Sequence, residues 1–147
     1  MTIDVTSKIE IARPRAVVAD FSADPDNVPR WYVNIKSVEW KTPRPARAGS
    51  RIAFVAQFLG RRLVYTYEIV ELVQGERLVM RTAEGPFPME TSYAWRDAGE
   101  GRTHMALRNR GAPTGFSRLV APFVALAVRR STDRDLLRLK RILEAAA

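Results

Sequence analysis

The chain opens on an alternation. Ile3, Val5, Ser7, Ile9 and Ile11 fall on one side, and Thr2, Asp4, Thr6, Lys8 and Glu10 on the other. A period of two rich in β-branched residues predicts a half-buried strand. Arg13-Pro14-Arg15 ends it, and Pro14 suits the first turn of a helix. Ala16 to Phe21 carries the apolar stripe Val17, Val18, Phe21. Asp24-Pro25-Asp26-Asn27 then breaks that helix and caps a second short one ending near Trp31. From there to Asn109 the pattern is strand and turn: Val38 to Trp40, Ser50 to Leu59, Arg61 to Val73, Arg77 to Thr82, Glu90 to Arg96 and Thr103 to Arg108. Gly60, Gln74-Gly75-Glu76, Gly85-Pro86-Phe87-Pro88 and Asp97 to Gly101 separate these runs. Connections this short favour an antiparallel meander.

From about Thr114 the period lengthens to that of a helix, which continues to the C-terminus. Ala121, Ala125, Val128, Thr132, Leu136, Leu139 and Leu143 step by three or four and form one stripe fit to lie on a sheet. Phe116, Leu119, Val120, Phe123 and Ala127 form a second stripe roughly opposite the first at about 100° per residue. Beyond Ala127 that second face turns polar, with Arg130, Arg134 and Arg141. A helix apolar on both sides at its start covers something there. The short helices and Pro-rich loops packing over it, a homodimer contact, or a gate over a pocket mouth with Pro122, Gly111 and Gly115 as weak points would each account for it.

Strand, two short helices, six strands and a long helix make an α+β domain over residues 1–147. A sheet of about seven strands with one long helix has to curl around it, the short helices plugging the open end. Such an arrangement predicts a cavity between sheet and helix, sized for a small molecule.

At this point the sequence resembles the START/SRPBCC helix-grip superfamily, in its polyketide cyclase/dehydrase-like branch. The resemblance rests on Ser7 to Pro14, Val18 to Trp31, Gly49-Ser50, Tyr67 to Glu71, Gly101-Arg102-Thr103 and Leu136 to Glu144. Each is a turn or packing signal, and their order runs through the whole chain. The resemblance implies a helix-grip fold, a seven-stranded curved antiparallel sheet around the C-terminal helix. It does not imply a reaction, since the superfamily includes lipid and hormone carriers, cyclases and dehydratases.

Composition narrows the chemistry. The chain has no cysteine, which removes disulfides, thiol nucleophiles and cysteine-ligated metals and fits the cytoplasm. Neither a signal peptide nor a transmembrane run is read, and no metal or cofactor is expected. The net charge of +8 is carried mostly by scattered arginines, with no block of five like charges, so no specific nucleic acid partner is expected. His104 alternates with Ala106 and Arg108 while Met105 and Leu107 claim the buried side, which reads as an outward strand residue and not a base. Hydrolase, kinase and dinucleotide motifs are absent, and no catalytic residue is assigned.

The aromatic residues carry the stronger signal. Tyr65 and Tyr67 share one strand face, Tyr93 and Trp95 another, and Phe54 and Phe58 a third; Trp31 and Phe87 sit at element ends. Any one of them suits a core, but as a set they suit an apolar wall with a few hydroxyl or indole donors. Strands three and four are apolar on both sides, so whether Phe54 or Val55 faces inward stays open. Charges in half-buried strands mostly point out. Among Glu68, Arg81 and Arg108, Arg81 is the one taken as inward, beside Val79 and Ala83. The expected ligand contacts are therefore Trp31, Phe54, Tyr65, Tyr67, Arg81, Phe87, Tyr93, Trp95 and Phe123. The leading reading is a binding module for a small hydrophobic molecule, lipid-like or polyaromatic. The alternatives are a cyclase or dehydratase using pocket Tyr and Arg, and a basic protein for nucleic acid or anionic membrane.

Overall fold

The computed structural model describes residues 3–58, 60–85, 88–112 and 121–147, and for Phe58 and Ala121 the backbone alone. The opening alternation forms β1 (Ile3–Ile11), with Val5, Ser7 and Ile11 buried. β2 (Ile35–Trp40), β3 (Arg51–Phe58), β4 (Arg61–Val73), β5 (Arg77–Glu84), β6 (Met89–Asp97) and β7 (Thr103–Gly111) follow, each paired with the next. β1 adds to β7, giving one antiparallel sheet in the order β1-β7-β6-β5-β4-β3-β2.

The link from β1 to β2 therefore runs from one sheet edge to the other. It carries α1 (Arg15–Ala23), a 3-10 turn (Pro25–Asn27) and α2 (Val28–Trp31). The Asp24 carboxylate accepts the Asp26 N–H at 3.0 Å, the cap expected where α1 breaks. α1 sits by β6, and α2 lies between β2 and α3 (Ala121–Ala145). α3 runs along β1 and turns Thr132, Leu136, Leu139 and Leu143 into the core, as its stripe predicts. A fully buried leucine contributes about 1.5–3 kcal/mol. Phe116, Leu119, Val120 and Gly115 lie outside the described residues.

Register shifts at Ile35/Ser37, Thr66/Tyr67 and Ile69/Glu71 bend the sheet. The last one changes which β4 residues face inward: Tyr65, Tyr67 and Ile69 before it, Leu72 after it.

The convex face carries a ladder of alternating charge. Arg51, Glu68, Arg81, Glu90, Arg110 and Asp4 stand opposite one another across neighbouring strands, alternating in sign. Glu90 binds Arg81 at 2.9 Å and Arg110 at 2.8 Å, while Arg108 reaches Asp4 on the diagonal. Exposed pairs such as these contribute little each, but like charges opposite one another would disfavour a slipped register. Arg81 thus belongs to this outer ladder, and the expectation of an inward Arg81 is corrected.

Gly111 is not a hinge. It closes β7 between Ile3 and Met89, where a Cβ would stand 2.5 Å from the Pro88 carbonyl oxygen. Backbone cannot give way cheaply there. Gly111→Ala is expected to destabilise the fold by about 1–3 kcal/mol, read as a lower urea midpoint; an unchanged midpoint would mean that the β6–β7 end is loosely joined.

Candidate ligand-binding site

The cross-strand register fixes the inner wall. Phe54 stands opposite Tyr65, Ile52 opposite Tyr67, Tyr93 opposite Leu107 and Trp95 opposite Met105. Phe54 faces in and Val55 faces out, which the sequence left open. Phe54 meets Tyr67 edge-on at 5.8 Å, Tyr65 lies 6.2 Å from Tyr67, and Tyr93 meets Trp95 at 6.1 Å. From the end of α2, Trp31 packs on Tyr93 at 5.7 Å and on Tyr32 at 4.3 Å. Trp31, Phe54, Tyr65, Tyr67, Tyr93 and Trp95 are thus brought onto one concave surface. Phe123 is not among them: it is 71% exposed on the outer side of α3. Phe87 lies outside the described residues.

A set of buried polar groups interrupts this wall. The hydroxyls of Tyr32 and Tyr93 share a hydrogen bond of 2.5 Å. Burial pushes both pKa values up, so both hydroxyls stay protonated at neutral pH. Burial also raises Tyr67, partly offset by its bonds to Thr91 and Thr82, and takes Tyr65 to about 12. Thr91 donates to Asn109 at 2.8 Å, and the Asn109 amide donates to Thr132 of α3 at 3.3 Å. Asp135, one turn further along α3, accepts the Val33 N–H at 3.0 Å. Burial raises its carboxyl to about 6, against the lowering effects of the Val33 bond and of Arg134 and Arg138.

Neither Tyr32 nor Asp135 was among the expected contacts. Asp135 was findable: it lies three residues after Thr132 and four before Leu139, so a carboxylate stands inside the apolar stripe. Tyr32 carried no such signal. Two indoles add to these inner polar groups, as does the buried Ser7 hydroxyl, which has no partner among the described residues. The Trp95 N–H donates to Ser22 at 3.0 Å, whereas the buried Trp31 N–H finds no acceptor among the described residues.

The wall closes unevenly. Under the C-terminal half of α3, Leu136, Leu139 and Leu143 fill the space, and Tyr93 and Trp31 are sealed in. Nearer the start of α3, the inward Tyr65, Tyr67, Thr82 and Asn109 remain half-buried, as do Val124 and Val128. A hollow of about 610 Å³ lies elsewhere, between α1, the loop 44–48 and the β4–β5 turn, and no residue of α3 lines it. It forms because the small Ala19 and Ala23 leave room over Trp40, Leu72 and Trp95. Of the expected contacts it takes Trp95 alone, so this cavity is not the one anticipated beneath the C-terminal helix. Its rim is polar, with Arg44 held at 2.9 Å by Asp26 and stacked on Trp40.

A curved antiparallel sheet gripping one long helix, with an aromatic inner wall, defines a helix-grip domain. Residues 2–144 match the family described as polyketide cyclase / dehydrase and lipid transport, and the chain belongs to that family. Among solved structures, a START superfamily protein from Mycobacterium smegmatis superposes with a TM-score of 0.85 at 13% identity, covering 99% of each chain. The Zhui aromatase/cyclase from Streptomyces sp. R1128 gives 0.81 at 16% identity, over 98% of this chain and 94% of its own. Major latex-like protein 151 from Panax ginseng gives 0.68 at 16%, over 90% and 95%. At these identities the likeness is one of fold. No curated protein matches in sequence.

Burial of the Asp135 carboxyl predicts a pH dependence of stability. The folded pKa of Asp135 lies above the ordinary 3.8 of an aspartate, so its contribution to stability is full below about 4 and is lost as pH rises to about 6. Asp135→Asn keeps an acceptor for Val33 and removes the ionisation. Its melting temperature is expected to rise relative to the parent between those two pH values and to run parallel above them. A difference that stays constant across that window would show that Asp135 does not titrate there.

Proposed function

We propose that the chain is a cytoplasmic carrier, sensor or protective pocket for a small hydrophobic molecule, lipid-like or polyaromatic. In this reading the molecule lies along the concave face and turns an oxygen function toward Tyr32 and Tyr67. The observation that carries the reading is the bonded Tyr32–Tyr93 pair beside Asp135, set into an otherwise aromatic and aliphatic wall. Protonated phenols are donors to a carbonyl or carboxylate, and the rings offer flat apolar contact. The half-buried edge around Tyr65 and Tyr67 supplies the approach, and the family's description includes lipid transport.

Native mass spectrometry of protein from its own host is expected to show a bound small molecule. An environment-sensitive apolar dye is expected to alter Trp31 and Trp95 emission and to be displaced by that molecule. Tyr67→Phe weakens binding by roughly 3- to 10-fold, the worth of one hydrogen bond. His104→Ala, on the convex side, leaves it unchanged. Saturating dye with no change in tryptophan emission would remove the proposal.

One observation favours a second reading, an enzyme of the cyclase or dehydratase kind acting on a tethered polyketide. A buried carboxyl raised to about 6 is poised for proton transfer near neutrality. As its carboxylate, Asp135 would take a proton from a carbon between two carbonyls, with a tyrosine hydroxyl stabilising the enolate oxygen. A poly-β-keto thioester separates the readings: for an enzyme, Asp135→Asn lowers turnover by about 100-fold or more and leaves binding intact. Tight binding without turnover in the parent protein restores the carrier reading.

A further inference from the structure

The outer face of α3 carries a pattern that neither the core nor the concave site uses. At about 100° per residue, Phe123, Arg130, Arg134, Leu137 and Arg141 fall within a narrow band opposite Thr132, Leu136 and Leu139. Leu126 and Arg138 flank the band. Phe123 is 71% exposed, Leu126 44% and Leu137 43%, three of the four large hydrophobic side chains that stand out as exposed among the described residues.

The arginines here differ from most of those on the sheet. Arg51, Arg77, Arg81, Arg102, Arg108 and Arg110 each have a carboxylate partner. Among the described residues, Arg130, Arg134, Arg138 and Arg141 have none within salt-bridge distance, and the one exposed acid on that side is Asp133. The scatter of arginines along the sequence conceals this, because most strand arginines stand in ion pairs, Arg61, Arg62 and Arg96 excepted, while among the described residues the arginines of α3 do not.

We propose that this face docks on an anionic membrane surface, with α3 lying in the plane of the headgroups. The arginines would sit at the level of lipid phosphates while Phe123, Leu126 and Leu137 enter the acyl boundary. The helix, 25 residues or about 37 Å long, offers this pattern along most of its length. A second copy of the chain fits less well, since a two-fold contact through this band sets arginines against arginines. A nucleic acid would engage the arginines but give the interleaved Phe and Leu nothing apolar to enter. The proposal stands independently of what the concave face holds.

The test is flotation of the purified protein with phosphatidylcholine vesicles, with and without phosphatidylglycerol. Binding is expected to the anionic vesicles alone and to fall at high salt. Arg130→Gln with Arg141→Gln lowers the partition coefficient roughly 30-fold. Both residues are exposed and, among the described residues, outside salt-bridge distance of any carboxylate, so the melting temperature of the double variant should match the parent's. Phe123→Trp provides a second readout that does not depend on losing function: its emission shifts to the blue with anionic vesicles and stays put with neutral ones. Equal binding to neutral vesicles, or anionic binding untouched by the double variant, overturns the proposal. So does a Phe123-dependent dimer that ignores vesicles, or binding to duplex DNA without binding to vesicles.

Discussion

The pairing of β1 with β7 is the constraint from which the rest of the architecture follows. Ile3 meets Gly111 and Ile11 meets Thr103, so the first strand is joined to the last across nearly the whole chain. Every other strand pairs with its sequence neighbour. With β1 at one edge and β2 at the other, the chain between them has to traverse the sheet, and it does so on the concave side as α1 and α2. The space left for α3 lies along β1, and the inward residues of β3 to β7 become a wall that no second sheet covers. A loop this long costs closure entropy that grows only slowly with length. The return comes from a full row of ladder bonds and from burying Val5, Ile11, Met105 and Leu107 together.

That wall is apolar where the helices press on it and polar at a few connected points. An unpaired hydroxyl or carboxylate in such surroundings costs several times what a satisfied one contributes. Tyr32 and Tyr93 satisfy each other, and Asn109 ties Thr91 of the sheet to Thr132 of the helix. Asp135 is the expensive member, with a single backbone donor at 3.0 Å, and it answers by holding its proton to about pH 6. The Trp31 N–H has no such answer among the described residues. Uncompensated polarity of this kind is more readily retained where a binding partner completes it than where packing alone is selected.

How much of this could be read from the sequence depended on whether the signal was local. The alternation of β1, the break at Asp24-Pro25, each hairpin and the stripe from Thr132 to Leu143 are local, and the elements form where the patterns place them. His104 faces outward for the same reason, with Met105 and Leu107 buried beside it. The inner face of β4 was not legible, because the irregularity between Ile69 and Glu71 breaks the period of two and leaves apolar residues on both sides. Arg81 was misjudged because its partners, Glu68 and Glu90, are on other strands and the ladder exists only in register. Phe123 looked like a contact by its stripe alone, which cannot distinguish a covered face from a bare one. The hollow behind α1 depends on the small side chains of Ala19 and Ala23, and no period announces a space.

Among the described residues, the two halves of α3 are tied to the sheet by different sets of contacts, while Asn34 and Val33 hold its middle through Ser131 and Asp135. At the C-terminal end, Ala12 donates to Glu144, Arg13 donates to the Leu143 carbonyl and Lys140 donates to the Glu10 carbonyl, over the buried Leu136, Leu139 and Leu143. Toward the start, the described bonds to the sheet are those of Arg129 with the Thr6 carbonyl and of Asn109 with Thr132. Local opening draws on the regions with the fewest buried contacts and the most exposed bonds. By that rule the described contacts leave the N-terminal half of α3 the less firmly held of the two. That is also the half over which Tyr65, Tyr67 and Asn109 stay half-buried, so the weak end of the clamp and the reachable end of the polar wall coincide. Among the described residues, then, the packed core under Leu136, Leu139 and Leu143 and the reachable part of the polar wall lie under different stretches of the same helix.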